Sequence, residues 1–359
     1  MDILTLNIGF LLSVSLLMSV GLIAGERINV LTWEGYVEPY EVQEVNDILK
    51  ERGYEYEIYV IPEWAEGPEQ MFNILRAGKA DISFLTLNYI KMQKGKTAQL
   101  LQGIDINSPR LSNYQYLDPL MLNVSMGVEN EKTLYLPWGG GAYGFWADMS
   151  QLNQSDLPRS LNDLLKPRWQ NRLSLTKGQI QPNIAIASLM LGKKAFFLND
   201  LSRKELVKEQ ANGELQSKLN ALYNQVGYYW TSGPDFENKN LHIVASYGIG
   251  AFAANRSGGH WQLINFEEGN TVWMDTINFH KDLTGRKLEA AEIFTNYFIG
   301  DKVQKRLVND LGMISASLKY QSASDQGFFV QDMFWPPYQR TADNIMFIMS
   351  KNAMDQTKQ

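Results

Sequence analysis

The stretch from residue 28 to residue 85 decides the fold; it reads INVLTWEGYVEPYEVQEVNDILKERGYEYEIYVIPEWAEGPEQMFNILRAGKADISFL. Apolar residues at 28–32, 54–61 and 81–85 predict three strands, and apolar residues at helical spacing in 41–50 and 69–77 predict a helix between successive strands. Alternating strands and helices indicate a mostly parallel sheet covered by helices. The sequence therefore predicts an α/β fold.

Two loops of this predicted sheet are candidate ligand contacts. In open α/β sheets, ligands bind in the crevice beyond the carboxyl ends of the strands. The first strand is followed by Trp33, Glu34, Gly35 and Tyr36, and the third strand is followed by residues 86–89. We expect the side chains of these two loops to face a common crevice.

The length of 359 residues exceeds one compact core of ordinary size, so two lobes are expected. A glycine cluster, Gly139-Gly140-Gly141-Ala142-Tyr143-Gly144, is the best candidate for a crossing between them. Helices are predicted over 175–191, 205–226, 289–298 and 342–354, and a strand over 243–246. The predicted division is 26–137 for the first part of lobe 1, 138–272 for lobe 2, 273–320 for a return to lobe 1, and 321–359 for C-terminal helices packing mainly on lobe 2.

The N-terminal segment differs from the rest of the chain. Residues 3–24 form an apolar run ending in Gly-Leu-Ile-Ala-Gly, which is typical of an export signal. No Lys or Arg precedes the run, and it is long enough to span a bilayer. We expect a cleaved signal over residues 1–25, with a retained anchor as the alternative. The sequence has no Cys, which excludes lipid attachment through cysteine.

Composition and motifs argue against several classes of protein. The net charge is −6 and no long basic run occurs, so a nucleic-acid partner is not expected. The three histidines lack metal-ligand spacing, and neither a Gly-x-Ser-x-Gly elbow nor a phosphate-binding loop is present. The glycine cluster fits Gly-x-Gly-x-x-Gly, but no clear helix follows it, so a hinge or tight packing is favoured over dinucleotide binding. The sequence predicts no catalytic site, no cofactor and no metal.

Trp273-Met274-Asp275, together with Trp33 and Tyr36, points to a cationic ligand. A buried ammonium group needs a carboxylate partner, because an unpaired buried charge is costly. Aromatic faces offer apolar contact to methylene groups and cation–π attraction of about 0.5–2 kcal/mol per ring. A core strand with a capping acid would give the same pattern, so the spacing alone leaves both interpretations open.

A family resemblance runs in order along nearly the whole chain. INVLTWEGY at 28–36, followed by Val-Glu-Pro, resembles the start of the periplasmic spermidine and putrescine binding proteins. The similarity continues through residues 81–84, 113–122, 134–144, 164–176, 250–252 and 272–275. The resemblance implies a type II-like periplasmic binding protein, with two α/β lobes joined by crossing strands that close on the ligand by a hinge motion.

The resemblance also implies roles for individual residues. Trp33 and Tyr36 would clamp the methylene chain of the ligand, Trp273 would stack on it, and Asp275 would hold an ammonium group. Further implied ligand contacts are Thr86 and Tyr89 after the third strand, Tyr247 where the family usually has Trp, and Gln339 as an amide for a second nitrogen.

This chain departs from the family pattern at two places. Residues 177–181 read KGQIQ, without a carboxylate, where the family has an acidic cluster. A tyrosine of the family is replaced near Met313. We therefore expect one end of the ligand to be held differently, with Glu34 and Asp235 as acids that could restore charge.

The function implied by the resemblance is binding without catalysis. We expect an exported, monomeric periplasmic protein that binds a polyamine of the spermidine, norspermidine or putrescine class. Its inner-membrane partner would be an ABC importer or, as in a norspermidine-sensing branch, a signalling receptor that controls cyclic-di-GMP. A binder of iron, suggested by Tyr228-Tyr229-Trp230, or of an anionic solute on the same fold is the alternative.

Overall fold

The computed structural model describes residues 26–231, 233–323, 325 and 327–357, and the predicted export signal at 1–25 lies outside the described residues. The strands are β1 (Glu26–Leu31), β2 (Tyr56–Val60), β3 (Ile82–Thr86), β4 (Val128–Glu129), β5 (Lys132–Thr133), β6 (Leu136–Asp148), β7 (Leu173–Thr176), β8 (Val226–Trp230), β9 (Ile243–Ser246), β10 (Trp261–Leu263), β11 (Thr271–Phe279) and β12 (Ile314–Ser315). The α-helices are α1 (Pro39–Glu51), α2 (Pro68–Arg76), α3 (Pro119–Leu122), α4 (Ile180–Met190), α5 (Arg203–Asn212), α6 (Glu214–Tyr223), α7 (Ile249–Arg256), α8 (Gly285–Phe298), α9 (Asp301–Leu311) and α10 (Arg340–Gln356). Within these ranges, no helix is long and apolar enough to cross a membrane.

The predicted alternation of strands and helices is confirmed in the order β1, α1, β2, α2, β3. Two predicted helices need correction. The helix predicted over 205–226 is divided into α5 and α6 at Gly213, whose φ of 78° is left-handed and ends α5. The helix predicted over 175–191 starts as strand β7, because its apolar start pairs with β8 and β9.

The main sheet has the strand order β2-β1-β3-β11-β6-β9-β7-β8, with β10 and β12 paired to β6. At one end β1 runs parallel to β2 and β3, and at the other end β7 runs parallel to β8 and β9. The central strands β11 and β6 are antiparallel to each other and to their outer neighbours. Two parallel sheets are thus joined through two long antiparallel strands.

The predicted crossing at the glycine cluster lies in the middle of β6. Residues 136–143 of β6 pair with β11, and residues 144–147 pair with β9, so one strand serves both parallel sheets. A Cβ atom on Gly140 would lie 2.4 Å from the carbonyl oxygen of Trp273, and one on Gly141 would lie 3.2 Å from the indole of Trp273. Close packing of β11 against β6 therefore requires glycine at position 140, and the indole of Trp273 packs tightly on Gly141.

Buried apolar residues form two large cores. The first includes residues of β1, β3, α1 and α8, and extends to Trp138 of β6 and Phe334 near the C-terminus. The second includes residues of β7, α4 and α6, starts at Tyr143 of β6 and takes in α10. We call the parts around these cores lobe 1 and lobe 2. The exact domain boundaries stay a prediction, and the C-terminal segment contributes Phe329 and Phe334 to lobe 1 and α10 to lobe 2.

A buried ion pair between Glu41 and Arg306 joins helix α1 to helix α9. Helix α1 starts at Pro39 with a capping box, in which the side chain of Glu41 accepts a hydrogen bond from the backbone N–H of Glu38. The same carboxylate receives two hydrogen bonds from Arg306, of 2.7 and 3.0 Å. The side chains of Glu41 and Arg306 are 0% and 8% exposed, so each charge depends on the other for its stability in the core.

We predict that Arg306→Met lowers the free energy of unfolding by about 3–5 kcal/mol, because it leaves the carboxylate of Glu41 buried without its partner. Urea unfolding followed by circular dichroism measures this loss. The matched control is Lys194→Met, which removes one partner of an ion pair with Asp332 in which both side chains are 62% exposed. The control is expected to lose less than about 1 kcal/mol. Equal small losses in both variants would contradict the structural role of Arg306.

Candidate functional site

A cavity of about 350 Å³ lies where lobe 1, lobe 2 and the C-terminal segment meet. Lobe 1 contributes the loop after β1, the segment after β3, and β11; lobe 2 contributes the segments before α4 and around the start of α7. The lining residues are Trp33, Tyr36, Thr86, Asn88, Tyr89, Gln179, Pro234, Ser246, Tyr247, Ile249, Gly250, Trp273, Asp275 and Trp335. Asp275 is the single carboxylate among these lining residues.

Asp275 is held on β11 by hydroxyl groups from two other segments. The hydroxyl of Tyr36 donates to Oδ2 at 2.5 Å, and the hydroxyl of Thr86 donates to Oδ1 at 2.7 Å. Antiparallel pairing of β3 with β11 sets Thr86 directly beside Asp275. The carboxylate is 3% exposed and faces no Lys or Arg in the lining set. Its position suits a cationic group supplied by a ligand.

Burial sets the acidity of this site. It raises the pKa of Asp275 from 3.8 to about 6, although the hydrogen bonds from Tyr36 and Thr86 act in the opposite direction. Burial, and then the charge of Asp275, raise the pKa of Tyr89 to about 12. Tyr36 also has a pKa well above its usual value, chiefly through burial. The tyrosines are therefore neutral at physiological pH, and Asp275 is the group that changes charge.

Arg306 anchors the loop that carries Trp33 and Tyr36. Its guanidinium donates to the carbonyl oxygens of Gly35 at 3.2 Å and Tyr36 at 2.8 Å, while Glu41 neutralises its charge. The left-handed φ of 77° at Gly35 turns the chain at this point. The ring of Tyr36 packs on Trp138 with centroids 4.2 Å apart. These contacts to Arg306 and Trp138 fix the position of the loop.

Aromatic rings form one wall of the cavity. Tyr247 contacts Trp273 with centroids 6.3 Å apart and Trp335 with centroids 5.6 Å apart. The indole N–H of Trp273 donates to the carbonyl oxygen of Ala142 in β6. These rings offer flat apolar surface and cation–π attraction beside the carboxylate of Asp275.

Two amide side chains complete the polar surface. The hydroxyl of Tyr247 donates to Oε1 of Gln179, which precedes α4 in lobe 2. Asn88 donates through Nδ2 to the carbonyl oxygen of Pro336 at 3.2 Å. Oδ1 of Asn88 is buried and has no hydrogen-bond partner within the described structure. Both residues line the cavity, and their side-chain amides are held by groups of other segments.

The structure brings together most of the candidate residues from the sequence. The lining set includes Trp33, Tyr36, Thr86, Tyr89, Tyr247, Trp273 and Asp275. Glu34 is exposed and outside the lining set. Gln339 is also outside it and precedes α10, where its backbone N–H donates to Asp343 at 2.6 Å.

Sequence reasoning misses Asn88, Gln179 and Trp335, and also Ser246 at the end of β9. Asn88 lies within the nominated segment 86–89 without a signal of its own, and Gln179 lies within the stretch 177–181, which is notable in the sequence only for its missing acids. The Trp-Pro-Pro sequence at Trp335 is the available signal for the third. Gln181, also in that stretch, donates to Asp343 at 2.9 Å and is outside the lining set.

The residues nominated for iron lie elsewhere. Tyr228, Tyr229 and Trp230 form part of β8, and none of them lines the cavity. In the part of the chain that the structure describes, no group of three His, Cys, Asp or Glu residues could hold a metal ion.

Comparisons with known proteins match this architecture. The sequence profile of the family described as bacterial extracellular solute-binding protein matches residues 89–331. The spermidine/putrescine-binding periplasmic protein of Salmonella typhimurium is 26% identical over 296 residues, covering 80% of this chain and 76% of that protein. The sequence resemblance to spermidine and putrescine binding proteins is thereby confirmed; the norspermidine branch stays a prediction.

Solved structures share the fold at low sequence identity. The spermidine/putrescine ABC transporter substrate-binding protein PotD of Streptococcus pneumoniae superposes with a TM-score of 0.68 at 16% identity, covering 91% of this chain and 99% of that one. Iron-bound HitA of Pseudomonas aeruginosa superposes with a TM-score of 0.56 at 14% identity, covering 91% and 99%. The predicted two-lobed α/β fold is confirmed. Since the two solved structures are named for different ligands, the fold by itself does not identify the ligand. Because the family profile covers more than half of the chain, the protein belongs to the bacterial extracellular solute-binding proteins.

Proposed function

We propose that this protein is a periplasmic binding protein for aliphatic amines of the polyamine class, with spermidine, norspermidine and putrescine as the representative ligands. The observation that carries the proposal is the buried carboxylate of Asp275 in an aromatic cavity between two lobes. The relatives from Salmonella typhimurium and Escherichia coli, which are named for binding spermidine and putrescine, support it.

Electrostatics favour a cationic ligand over an anionic solute. A negative solute would be repelled by the carboxylate of Asp275 and would meet no Lys or Arg among the lining residues. An ammonium group beside Asp275 would gain a charged hydrogen-bond partner, and the lining residues Trp33 and Trp273 offer aromatic rings for cation–π attraction. The geometry therefore argues against an anionic solute.

The apolar part of the cavity suits the methylene segments of such a ligand. Trp33, Tyr89, Trp273 and Trp335 contribute aromatic surface, and a volume of about 350 Å³ lies within the range of small-molecule sites. The hydroxyls of Tyr36 and Thr86 are already committed to Asp275. We infer that the site binds its ligand without transforming it.

We propose export to the periplasm and delivery of the ligand to the inner-membrane permease of an ABC importer. The periplasmic relatives support the location, and the similarity to the ABC transporter substrate-binding protein of Streptococcus pneumoniae supports the importer. The predicted signal at residues 1–25 would direct the export. A signalling receptor that controls cyclic-di-GMP, and a monomeric state, remain predictions.

The partner is tested by capture from detergent-solubilised membranes with immobilised protein, with and without a polyamine. We expect mass spectrometry to recover an ABC permease, enriched when the ligand is present. The matched control is the Asp275→Asn protein, whose weakened ligand binding should abolish that enrichment. Recovery of a membrane receptor with a cyclic-dinucleotide enzyme domain would replace transport by sensing.

We predict that Asp275→Asn lowers polyamine affinity at least tenfold, which corresponds to about 1.4 kcal/mol, because the ammonium loses its buried charged partner. Titration calorimetry with putrescine, cadaverine, norspermidine and spermidine measures this change, with a sugar and an amino acid as control ligands. Asp148→Asn is the matched control, since Asp148 is 4% exposed but lies outside the cavity. Unchanged affinity in Asp275→Asn would remove this residue from the site.

Ligand affinity is expected to depend on pH through Asp275. Burial raises its pKa to about 6, and an ammonium ligand binds the ionised carboxylate. Affinity should therefore be constant above about pH 7 and fall by up to about tenfold per pH unit below pH 6, as the free protein becomes protonated. Calorimetry from pH 5 to pH 8 measures this profile. The profile of Asp275→Asn should be flat, and an equal slope in both proteins would assign the pH dependence to another group.

A further inference from the structure

We propose that Asn88 is a positioning residue for ligand binding: its side-chain amide holds the Trp-Pro-Pro segment, residues 335–337, and thereby sets the position of the Trp335 ring in the ligand cavity. This inference rests on the proposed amine-binding function. It adds to that function a residue that acts on the ligand through another residue, on the aromatic side of the cavity.

The Trp-Pro-Pro segment lies where the chain passes from lobe 1 to lobe 2. Phe334, directly before it, belongs to the core of lobe 1 and stacks on Phe329 with centroids 5.9 Å apart. Helix α10, which begins at Arg340, packs in the core of lobe 2. Trp335 itself lines the cavity. The segment therefore joins the two lobes beside the ligand site.

Few backbone groups of this segment can hold it in place. The backbone N–H of Trp335 donates to the carbonyl oxygen of Val272 in β11 over a long distance of 3.4 Å. Pro336 and Pro337 have no N–H, so they cannot continue this pairing. Within the described ranges, the one hydrogen bond to the backbone of these two prolines runs from Nδ2 of Asn88 to the carbonyl oxygen of Pro336, at 3.2 Å. Asn88 thus anchors the segment directly after Trp335.

The side chain of Asn88 stabilises the protein only through its donor. The residue is 5% exposed, and its Oδ1 is buried without a partner among the described residues. A buried acceptor without a hydrogen bond costs free energy, which offsets the gain from the bond of Nδ2. We therefore expect that leucine, an apolar side chain of similar size, costs the fold little at this position while it releases the carbonyl group of Pro336.

The hydrogen bond of Asn88 joins two segments of the ligand site. Thr86, two residues before Asn88, donates its hydroxyl to Asp275 at 2.7 Å, and Tyr89, directly after Asn88, lines the cavity. The partner of this bond, Pro336, directly follows Trp335. One amide therefore connects the segment that holds the charged group with the segment that carries an aromatic ring.

The ring of Trp335 belongs to the aromatic wall of the cavity. It contacts Tyr247 with centroids 5.6 Å apart and Tyr143 with centroids 5.9 Å apart. Its indole N–H donates to Oγ1 of Thr271 at 3.3 Å, so the ring offers the ligand aromatic surface and no free donor. The residue is half-buried, so part of that surface is accessible. Because aromatic attraction depends on distance and orientation, displacement of the segment weakens the contact of this ring with a ligand.

The variant Asn88→Leu tests the anchor by titration calorimetry with putrescine and spermidine. We expect the affinity for the tighter of the two ligands to fall about fivefold, the effect of one neutral hydrogen bond, while the midpoint of thermal unfolding stays unchanged. An unchanged affinity, or a fall in affinity together with a clear fall in the unfolding midpoint, would overturn the inference. If Asn88→Leu does not fold, Asn88→Ala provides the same comparison.

The matched control for this variant is Asn199→Leu. Asn199 is 8% exposed, lies outside the cavity, and has no hydrogen-bond partner for either amide atom in the described part of the chain. The same substitution of a buried asparagine should leave the affinity for both amines unchanged there. An equal loss of affinity in the two variants would assign the effect of Asn88→Leu to general changes in the core.

A double-mutant cycle determines whether Asn88 acts through Trp335. We expect Trp335→Ala to lower affinity about tenfold, and the addition of Asn88→Leu to lower it no further, because the ring that Asn88 positions is already absent. A purely structural contribution of Asn88 would persist without the ring, and the two losses would then multiply to about fiftyfold. That product, or unchanged affinity in Trp335→Ala, would overturn the inference and leave the amine-binding function intact. Absence of binding of any amine to the unmodified protein would instead refute the proposed function.

Discussion

The carboxylate of Asp275 is buried against aromatic rings and accepts hydrogen bonds from two neutral hydroxyl groups, with no cation in the lining set. A charge in this position is unfavourable until a ligand brings the opposite charge, which is why burial raises its pKa. The two hydroxyl donors, Tyr36 and Thr86, are 239 and 189 residues away in sequence. The site therefore requires three segments that are distant in sequence to meet at Asp275. The order of the strands in the sheet brings these segments together.

Antiparallel β11 meets this requirement because it lies between β3 and β6. Its pairing with β3 places Thr86 beside Asp275, and its pairing with β6 places Gly139 on the other side. A side chain at Gly140 would force β6 away from β11, since its Cβ atom would lie 2.4 Å from the carbonyl oxygen of Trp273. The glycine cluster thus allows β6 to pack closely on β11, the strand that carries Asp275. From this cluster β6 continues into lobe 2.

Local periodicity is sufficient for the strands and helices of the first 60 or so described residues, and the rule that ligands bind at the carboxyl ends of strands leads directly to Trp33, Tyr36, Thr86 and Tyr89. Local sequence patterns do not reveal contacts between distant segments. Asn88 becomes notable only because Pro336 occupies its Nδ2, and Gln179 only because Tyr247 occupies its Oε1. The family resemblance nominates Gln339, yet its backbone begins α10 and its side chain is outside the lining set. A motif gives the residue type and position in sequence, but the direction of a side chain depends on partners that only the fold supplies.

Helix α9 contacts both the loop at residues 33–36 and helix α7. Arg306, in its middle, holds the carbonyl oxygens of Gly35 and Tyr36, and Gly312, directly after its end, packs so closely on Phe252 of α7 that a Cβ atom would lie 2.3 Å from that ring. Helix α9 is therefore in contact both with the loop that positions Tyr36 against Asp275 and with α7. The buried ion pair of Arg306 with Glu41, which stabilises lobe 1, thus also supports the loop beside the charged group of the site.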